Sequence, residues 1–430
     1  MNYEEARNYL AEVSAKGNLL GLESVRILLK ELGNPQDSLK FVHIAGTNGK
    51  GSVMSYLSYI VQEAGYSVGR YISPALFFYE ERIQINGKPI LKEEIARLTT
   101  RIAAARERIR KRGDAETTIF EVETAMSFLY FQEQQCDLVL LETGMGGRED
   151  ATNVVTSSIL EIISSVTMDH MEFLGDTLEK IAWNKAGIIK PDTAVVSDSQ
   201  EKDVCKVLKA VCQEQRASLH LLEKDELSKV QYGLKRQKFS YRGMENLTIS
   251  LAGTCQIHNA ALAVDAALAL QNAGYDISEE NIRTGLEKTV WEGRFQLMNE
   301  HPSVIIDGAH NPDAAQALLN AVDQYFPENK IYYIFGVFSD KEYDKIIRIT
   351  AGRAEKIFTV QTKDHPRALP AEELADAVRK VNPNVILAGT VTNALTLALE
   401  EAEQGDVILV FGSLSFLYEA KEYFEHQQGI

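Results

Sequence analysis

The stretch from Phe41 to Ala64 leaves this chain the least choice of fold. Phe41-Val42-His43-Ile44-Ala45 is a short apolar run that reads as a buried strand. Gly46, Thr47, Asn48, Gly49, Lys50, Gly51 and Ser52 follow at once. Val53 to Ala64 then reads as a helix, with Val53, Leu57, Ile60 and Val61 at helical spacing. A strand, a glycine-rich turn and a helix N-terminus in that order make a phosphate cradle. The turn's N–H groups point inward, the helix dipole favours negative charge, and Lys50 adds a mobile cation. Ser52 is then placed to hold a Mg2+ ion that the phosphates also hold.

The turn is a variant of the commonest phosphate loop. That form has a glycine four residues before Gly-Lys and a Ser or Thr directly after the lysine. Here only Gly46-Thr47-Asn48 precede Gly49-Lys50, and Gly51 separates Lys50 from Ser52.

The 430 residues suggest two or three domains. A net charge of −16 argues against nucleic acid or an anionic membrane as the main partner, since both need clustered positive charge. Cys136, Cys205, Cys212 and Cys255 form no Cys-x-x-Cys pair and read as reduced thiols. Met1 to Leu10 lacks the apolar core of a signal peptide, and no run approaches the ~18 apolar residues of a membrane span. The expected location is the cytoplasm.

Apolar strands alternate with helices along most of the chain, which means parallel sheets with helices on both faces. Asp176-Thr177-Leu178-Glu179 reads as a capping box for a helix ending before Pro191. Lys238 to Leu251 reads as antiparallel edge strands. Trp291-Glu292-Gly293-Arg294 looks like a joint, and a new alternation begins at Val304–Ile306. The expected fold is α/β. A P-loop-type mononucleotide-binding ATPase domain spans 1–297, and a smaller Rossmann-like α/β domain spans 298–430.

In open parallel sheets, ligands bind beyond the carboxyl ends of the strands. The residues there are Gly46 to Ser52, Ser73, Glu142 with Thr143 to Arg148, and His170. A hydroxyl, a carboxylate and an imidazole suit a cation beside phosphates. Glu142 and His170 read equally well as ordinary polar groups at strand ends. Lys185, inside Trp183-Asn184-Lys185-Ala186-Gly187-Ile188, reads from spacing as a lysine snorkelling to solvent. Asp307-Gly308-Ala309-His310-Asn311-Pro312 follows a strand and opens a helix, with Pro312 near N1 and Asn311 fit to cap it.

Ala45 to Ser52 closely resembles the nucleotide loop of the folylpolyglutamate synthase/dihydrofolate synthase family, a branch of the Mur ligases. The resemblance extends in order through Gly21 to Val25, Leu32 to Pro35, Tyr71-Ile72-Ser73-Pro74, Thr118-Ile119-Phe120-Glu121 and Glu142 to Asn153. It continues through Asp169-His170, Lys185 to Ile188, Gly293-Arg294-Phe295 and Asp307 to Pro312. The ordered set is far more specific than any one motif. Ala75 departs from it, standing where the family usually has His after Ser-Pro.

The resemblance implies an ATP-dependent ligase. A folate or pteroate carboxylate takes the γ-phosphate of ATP, and the amino group of L-glutamate displaces phosphate from the acyl phosphate. Reduced folates are the implied acceptors, with dihydropteroate a further one. By the same resemblance Gly46 to Ser52 with Lys50, Asn259, Arg294 and Asp307 bind ATP across a domain cleft. Ser52, Ser73, Glu142, His170 and a carbamylated Lys185 hold two Mg2+ ions. Thr118, Phe120, Asp150 and Ala151 match the pterin pocket, Arg148 and Ser413 are further implied substrate-binding residues, and His310 and Ser413 match the position of glutamate or the acyl phosphate. Lys50, Lys185 and His310 are the implied catalytic residues, and the enzyme is implied to be a monomer. Another Mur-type ligase, or a nucleotide-driven switch without a ligase step, is the alternative. The extra Gly51 and Thr118 to Glu121 argue against the former.

Overall fold

The computed structural model describes residues 1–14, 21–363 and 366–428. The chain divides into two compact units. The first comprises Met1–Ser228, Tyr241–Leu247 and His258–Thr289; the second comprises Lys229–Ser240, Thr248–Ile257 and Val290–Ile430. Among the described residues no helix is long and apolar enough to cross a membrane, and all four cysteines are free thiols.

An eight-stranded sheet organises the first unit. Its strands are β1 (Phe41–Ala45), β2 (Val68–Tyr71), β3 (Ile83–Ile85), β4 (Lys88–Pro89), β5 (Leu138–Glu142), β6 (Ser158–Ile163), β7 (Ala194–Ser197) and β8 (Ser218–Leu221). They lie in the order β4-β3-β2-β5-β1-β6-β7-β8. β1 is central and parallel to both β5 and β6, with Ile44 opposite Glu142 and His43 opposite Glu161. Every residue of β1 and β5 is buried, as expected of strands covered on both faces.

The register brings the ends of β1, β5 and β6 to one edge of the sheet, so Gly46, Glu142 and Ser164 are neighbours by topology. The helix Lys50–Glu63 starts three residues earlier than its apolar periodicity suggests. Gly49 at its N-cap has φ +86°, a left-handed conformation that glycine adopts without penalty. The helix Leu178–Lys185 is capped by Thr177, whose hydroxyl accepts from Lys180 N. Thr177 rather than Asp176 is therefore the N-cap, and Asp176 pairs with Lys180 at 2.7 Å instead of forming the expected capping box.

The strands β9 (Ser228–Gln231), β10 (Gln237–Tyr241) and β11 (Met244–Ile249) form a small sheet of their own. The second unit carries β12 (Gln296–Glu300), β13 (Ser303–Ile306), β14 (Ile331–Phe335), β15 (Lys356–Val360), β16 (Val385–Gly389) and β17 (Val407–Phe411) in the order β12-β13-β17-β14-β15-β16. All neighbours are parallel except β12, which pairs antiparallel with β13. β12 has no expectation in the sequence. It is half-buried except for the exposed Glu300 and shows no clean alternation, because it is an edge strand held mainly by its hairpin.

Candidate functional site

The cradle is built from backbone that tolerates no side chain. A Cβ on Gly46 would lie 1.9 Å from Ser164 Oγ, and one on Gly49 would lie 2.7 Å from Asn259 Oδ1. The turn is tied to the segment after β6. Thr47 N donates to Ser165 O at 2.7 Å, Ser164 Oγ donates to Asn48 O at 2.7 Å, and the Thr47 hydroxyl bridges to Thr167. Asn259 thus stands against the turn, although it lies far along the sequence.

Two lysines converge on one oxygen. Lys50 Nζ folds back to Gly46 O at 3.2 Å and Thr47 O at 3.3 Å, and lies 3.8 Å from Glu142 Oε1. Lys185 Nζ donates to the same Gly46 O at 2.7 Å. Lys185 is only 4% exposed, so it does not snorkel. Burial, with the Lys50 charge second, pulls its amine down to about 7; Asp169 and Asp150 oppose the shift. The usual lysine loses its proton near 10.4. Asp169 is thus a site residue that the reading of individual side chains passed over; its only sequence signal is adjacency to His170.

Glu142 is 6% exposed, and its Oε2 accepts from Ser73 N at 3.4 Å. Ser52 is buried in the first turn of the Lys50–Glu63 helix. His170 has φ +50°, its N–H donates to Asp169 Oδ1, and its Nε2 lies 4.0 Å from Asp169 Oδ2. The structure therefore brings Lys50, Lys185, Glu142, Ser73 and Gly46 together, and sets His170 beside Asp169. Among the described residues no three His, Cys, Asp or Glu side chains converge as a metal cage. Mg2+ shared with phosphates needs only one or two carboxylates, keeping waters and phosphate oxygens as its other ligands. A buried carboxylate beside a cradle and a hydroxyl at its helix mouth fits that ion.

The loop after β5 carries the next group. Thr118 caps the helix Ile119–Glu133 in a capping box with Glu121. Phe120 lies across Gly144, where a Cβ would meet its ring at 2.6 Å. The Arg148 guanidinium stacks 3.6 Å over the Trp183 ring, which is half exposed. Asp150 and Ala151 are buried. Asp150 accepts from Met145 N at 2.8 Å, Thr152 N at 3.0 Å and Thr152 Oγ1 at 2.5 Å, and burial pushes its carboxyl up.

In the second unit, Asp307 directly follows β13 and accepts from Phe295 N and Ala309 N, both at 2.8 Å. A Cβ on Gly308 would fall 2.1 Å from Arg294 Nη1, so the Arg294 guanidinium packs directly against that glycine. His310 Nδ1 donates to Gly308 O at 2.8 Å, which fixes the ring. Asn311 caps the helix Pro312–Tyr325 through Ala314 N at 2.8 Å. Ser413 Oγ lies 2.7 Å from Ser415 Oγ, and Thr362 Oγ1 lies 3.2 Å from the same atom. Thr362 and Ser415 carry no recognisable signal in the sequence, because two strand ends far apart in the chain, those of β15 and β17, bring them together.

Residues 44–267 match the Mur ligase middle domain, and residues 293–414 match the Mur ligase glutamate ligase domain. The chain is 35% identical over 431 residues to the dihydrofolate synthase/folylpolyglutamate synthase of Bacillus subtilis, covering 98% of each. It is similar to Mycobacterium tuberculosis folylpolyglutamate synthase complexed with ADP and AMPPCP, with a TM-score of 0.90, 29% identity and coverage of 98% and 99%. It is also similar to Escherichia coli FolC in complex with DHPP and ADP, with a TM-score of 0.86, 29% identity and coverage of 100% and 99%.

Proposed function

The chain belongs to the folylpolyglutamate synthase/dihydrofolate synthase family of Mur ligases, ATP-dependent enzymes that join glutamate to folates, and from that premise we propose how its residues divide the reaction. Lys50 and the N–H groups of Gly46 to Ser52 grip the ATP phosphates. Asn259, Arg294 and Asp307 complete the nucleotide contacts. The acceptor is a reduced folate, and dihydropteroate is taken by the same site, in line with the double name of the Bacillus subtilis relative. Thr118, Phe120, Arg148, Asp150 and Ala151 hold or shape its pterin end. His310 and Ser413 hold L-glutamate. The first unit serves as the nucleotide domain and the second, whose long segment is Val290–Ile430, as the glutamate ligase domain; the boundary expected at 297 falls inside β12.

Two anions, a carboxylate and ATP, must approach each other. Lys50 cancels part of their repulsion, and orientation supplies much of the rate. Ser52, Ser73, Glu142, His170 and Lys185 would hold Mg2+, which when bound adds positive charge at the phosphates. Lys185 serves as a carbamate: its uncharged amine attacks CO2, an N–C bond forms as one C=O π bond opens to an oxyanion, and a proton leaves the nitrogen for water. That turns a buried cation into an anionic oxygen ligand.

One observation carries this reading: the buried, readily deprotonated Lys185 amine meets Lys50 at Gly46 O beside Glu142. The test is ADP release with a reduced folate, with and without L-glutamate. Release that needs both, with a product one glutamate longer, is expected. ADP release indifferent to glutamate would return the protein to the class of nucleotide-driven switches. Parallel assays with dihydropteroate decide the second acceptor.

A further inference from the structure

His43 lies in the middle of β1, three residues before the cradle, and is fully buried. Its Nε2 lies 2.8 Å from Thr152 Oγ1. The Thr152 hydroxyl has one proton and gives it to Asp150 Oδ1 at 2.5 Å. His43 must then donate through Nε2–H, which leaves Nδ1 as the bare nitrogen. Burial, and the Lys190 charge second, hold the ring well below its usual range, so it stays neutral. Nδ1 itself is buried without a hydrogen-bond partner.

The same loop has a second anchor. Lys190 Nζ donates to Asn153 Oδ1 at 2.6 Å, while Asn153 Nδ2 donates to Arg148 O and Gly187 O, both at 3.0 Å. Glu161, opposite His43 on β6, accepts from Thr193 at 2.6 Å and is pushed up to about 7 by burial. Buried polar groups cost stability unless they are hydrogen-bonded, and a satisfied network makes the segment it holds rigid. What this set specifies is the path of residues 144–153, the loop that carries Arg148, Asp150 and Ala151.

We propose that His43 is a positioning residue for the acceptor substrate, setting the loop through the relay His43 Nε2–H to Thr152 Oγ1 to Asp150. The role rests on the assignment of that loop to the pterin end of the acceptor. It also places the strand that feeds the nucleotide loop in direct hydrogen-bond contact with the acceptor loop.

The test uses the full chain and steady-state kinetics of wild type, H43A, H43Q and T152V. Losing one hydrogen bond of this chain should raise KM for the reduced folate about tenfold in H43A. KM for ATP and for L-glutamate should stay within about twofold. H43Q keeps an N–H at the Nε2 position and should recover most of the loss. T152V removes the relay with little change in volume, so it carries the test if H43A does not fold, and it should show the same selective rise. Equal changes in all three KM values, an unchanged KM for folate, or a glutamine no better than alanine would overturn the role of His43. An inactive wild type would instead overturn the ligase reading, and this role with it.

Discussion

Replacing Lys185 with methionine removes a buried amine while keeping the length of its stem. The lysine loses its proton near 7 in the fold and at 10.5 in the unfolded chain. Because the folded value is the lower one, the unfolded state binds more protons between the two. Stability of the wild type therefore rises with pH across that window. Below pH 7 the full penalty applies, about 5 kcal/mol at roughly 1.4 kcal/mol per unit. Methionine escapes it but gives up the bond to Gly46 O, about 1 kcal/mol, since that oxygen still accepts from Lys50. Lys185→Met should thus be more stable than wild type by about 4 kcal/mol below neutrality. The gap should narrow by about 2.5 kcal/mol between about pH 6 and about pH 9. Urea unfolding of both proteins in CO2-free buffer measures it. A gap that stays flat with pH would mean that the amine keeps its proton in the fold. The uncharged nucleophile needed for a carbamate would then be missing, and the argument for Lys185 as an anionic ligand would fail.

The same position has a kinetic counterpart: Lys185→Ala should impair turnover, and a small added carboxylate should restore part of it, as read by ADP release. Lys50→Ala should abolish turnover, because it removes a cation that touches both the loop carbonyls and Glu142, while thermal unfolding changes little. Gly49→Ala forces a side chain into a left-handed N-cap and against Asn259, at a cost of roughly 1–2 kcal/mol. It should weaken ATP binding by about five- to thirtyfold in a titration calorimeter, about the same energy. Asn311→Ala removes the cap of the Pro312–Tyr325 helix and should cost about 1 kcal/mol in denaturant unfolding.

The cradle was legible because it is local. A five-residue apolar run, glycines at fixed offsets and a helical period each act over a few residues, and the fold keeps all three. The order of strand-end motifs was legible for the same reason: each sits at the end of a strand that its own residues specify. Edge strands such as β12 were not, because pairing rather than sequence pattern holds them.

The burial of individual polar side chains could not be read from the chain. Spacing alone sends Lys185 to solvent, yet it lies under Gly46, 139 residues away, and loses its ordinary proton affinity there. His43 reads as one more residue of an apolar strand until Thr152, 109 residues on, folds against it. Desolvation and hydrogen-bond partners depend on everything packed around a group. The sequence by itself determined which residues stand at the mouth of the sheet, and only the tertiary structure decided which of them are charged, which are held, and by what.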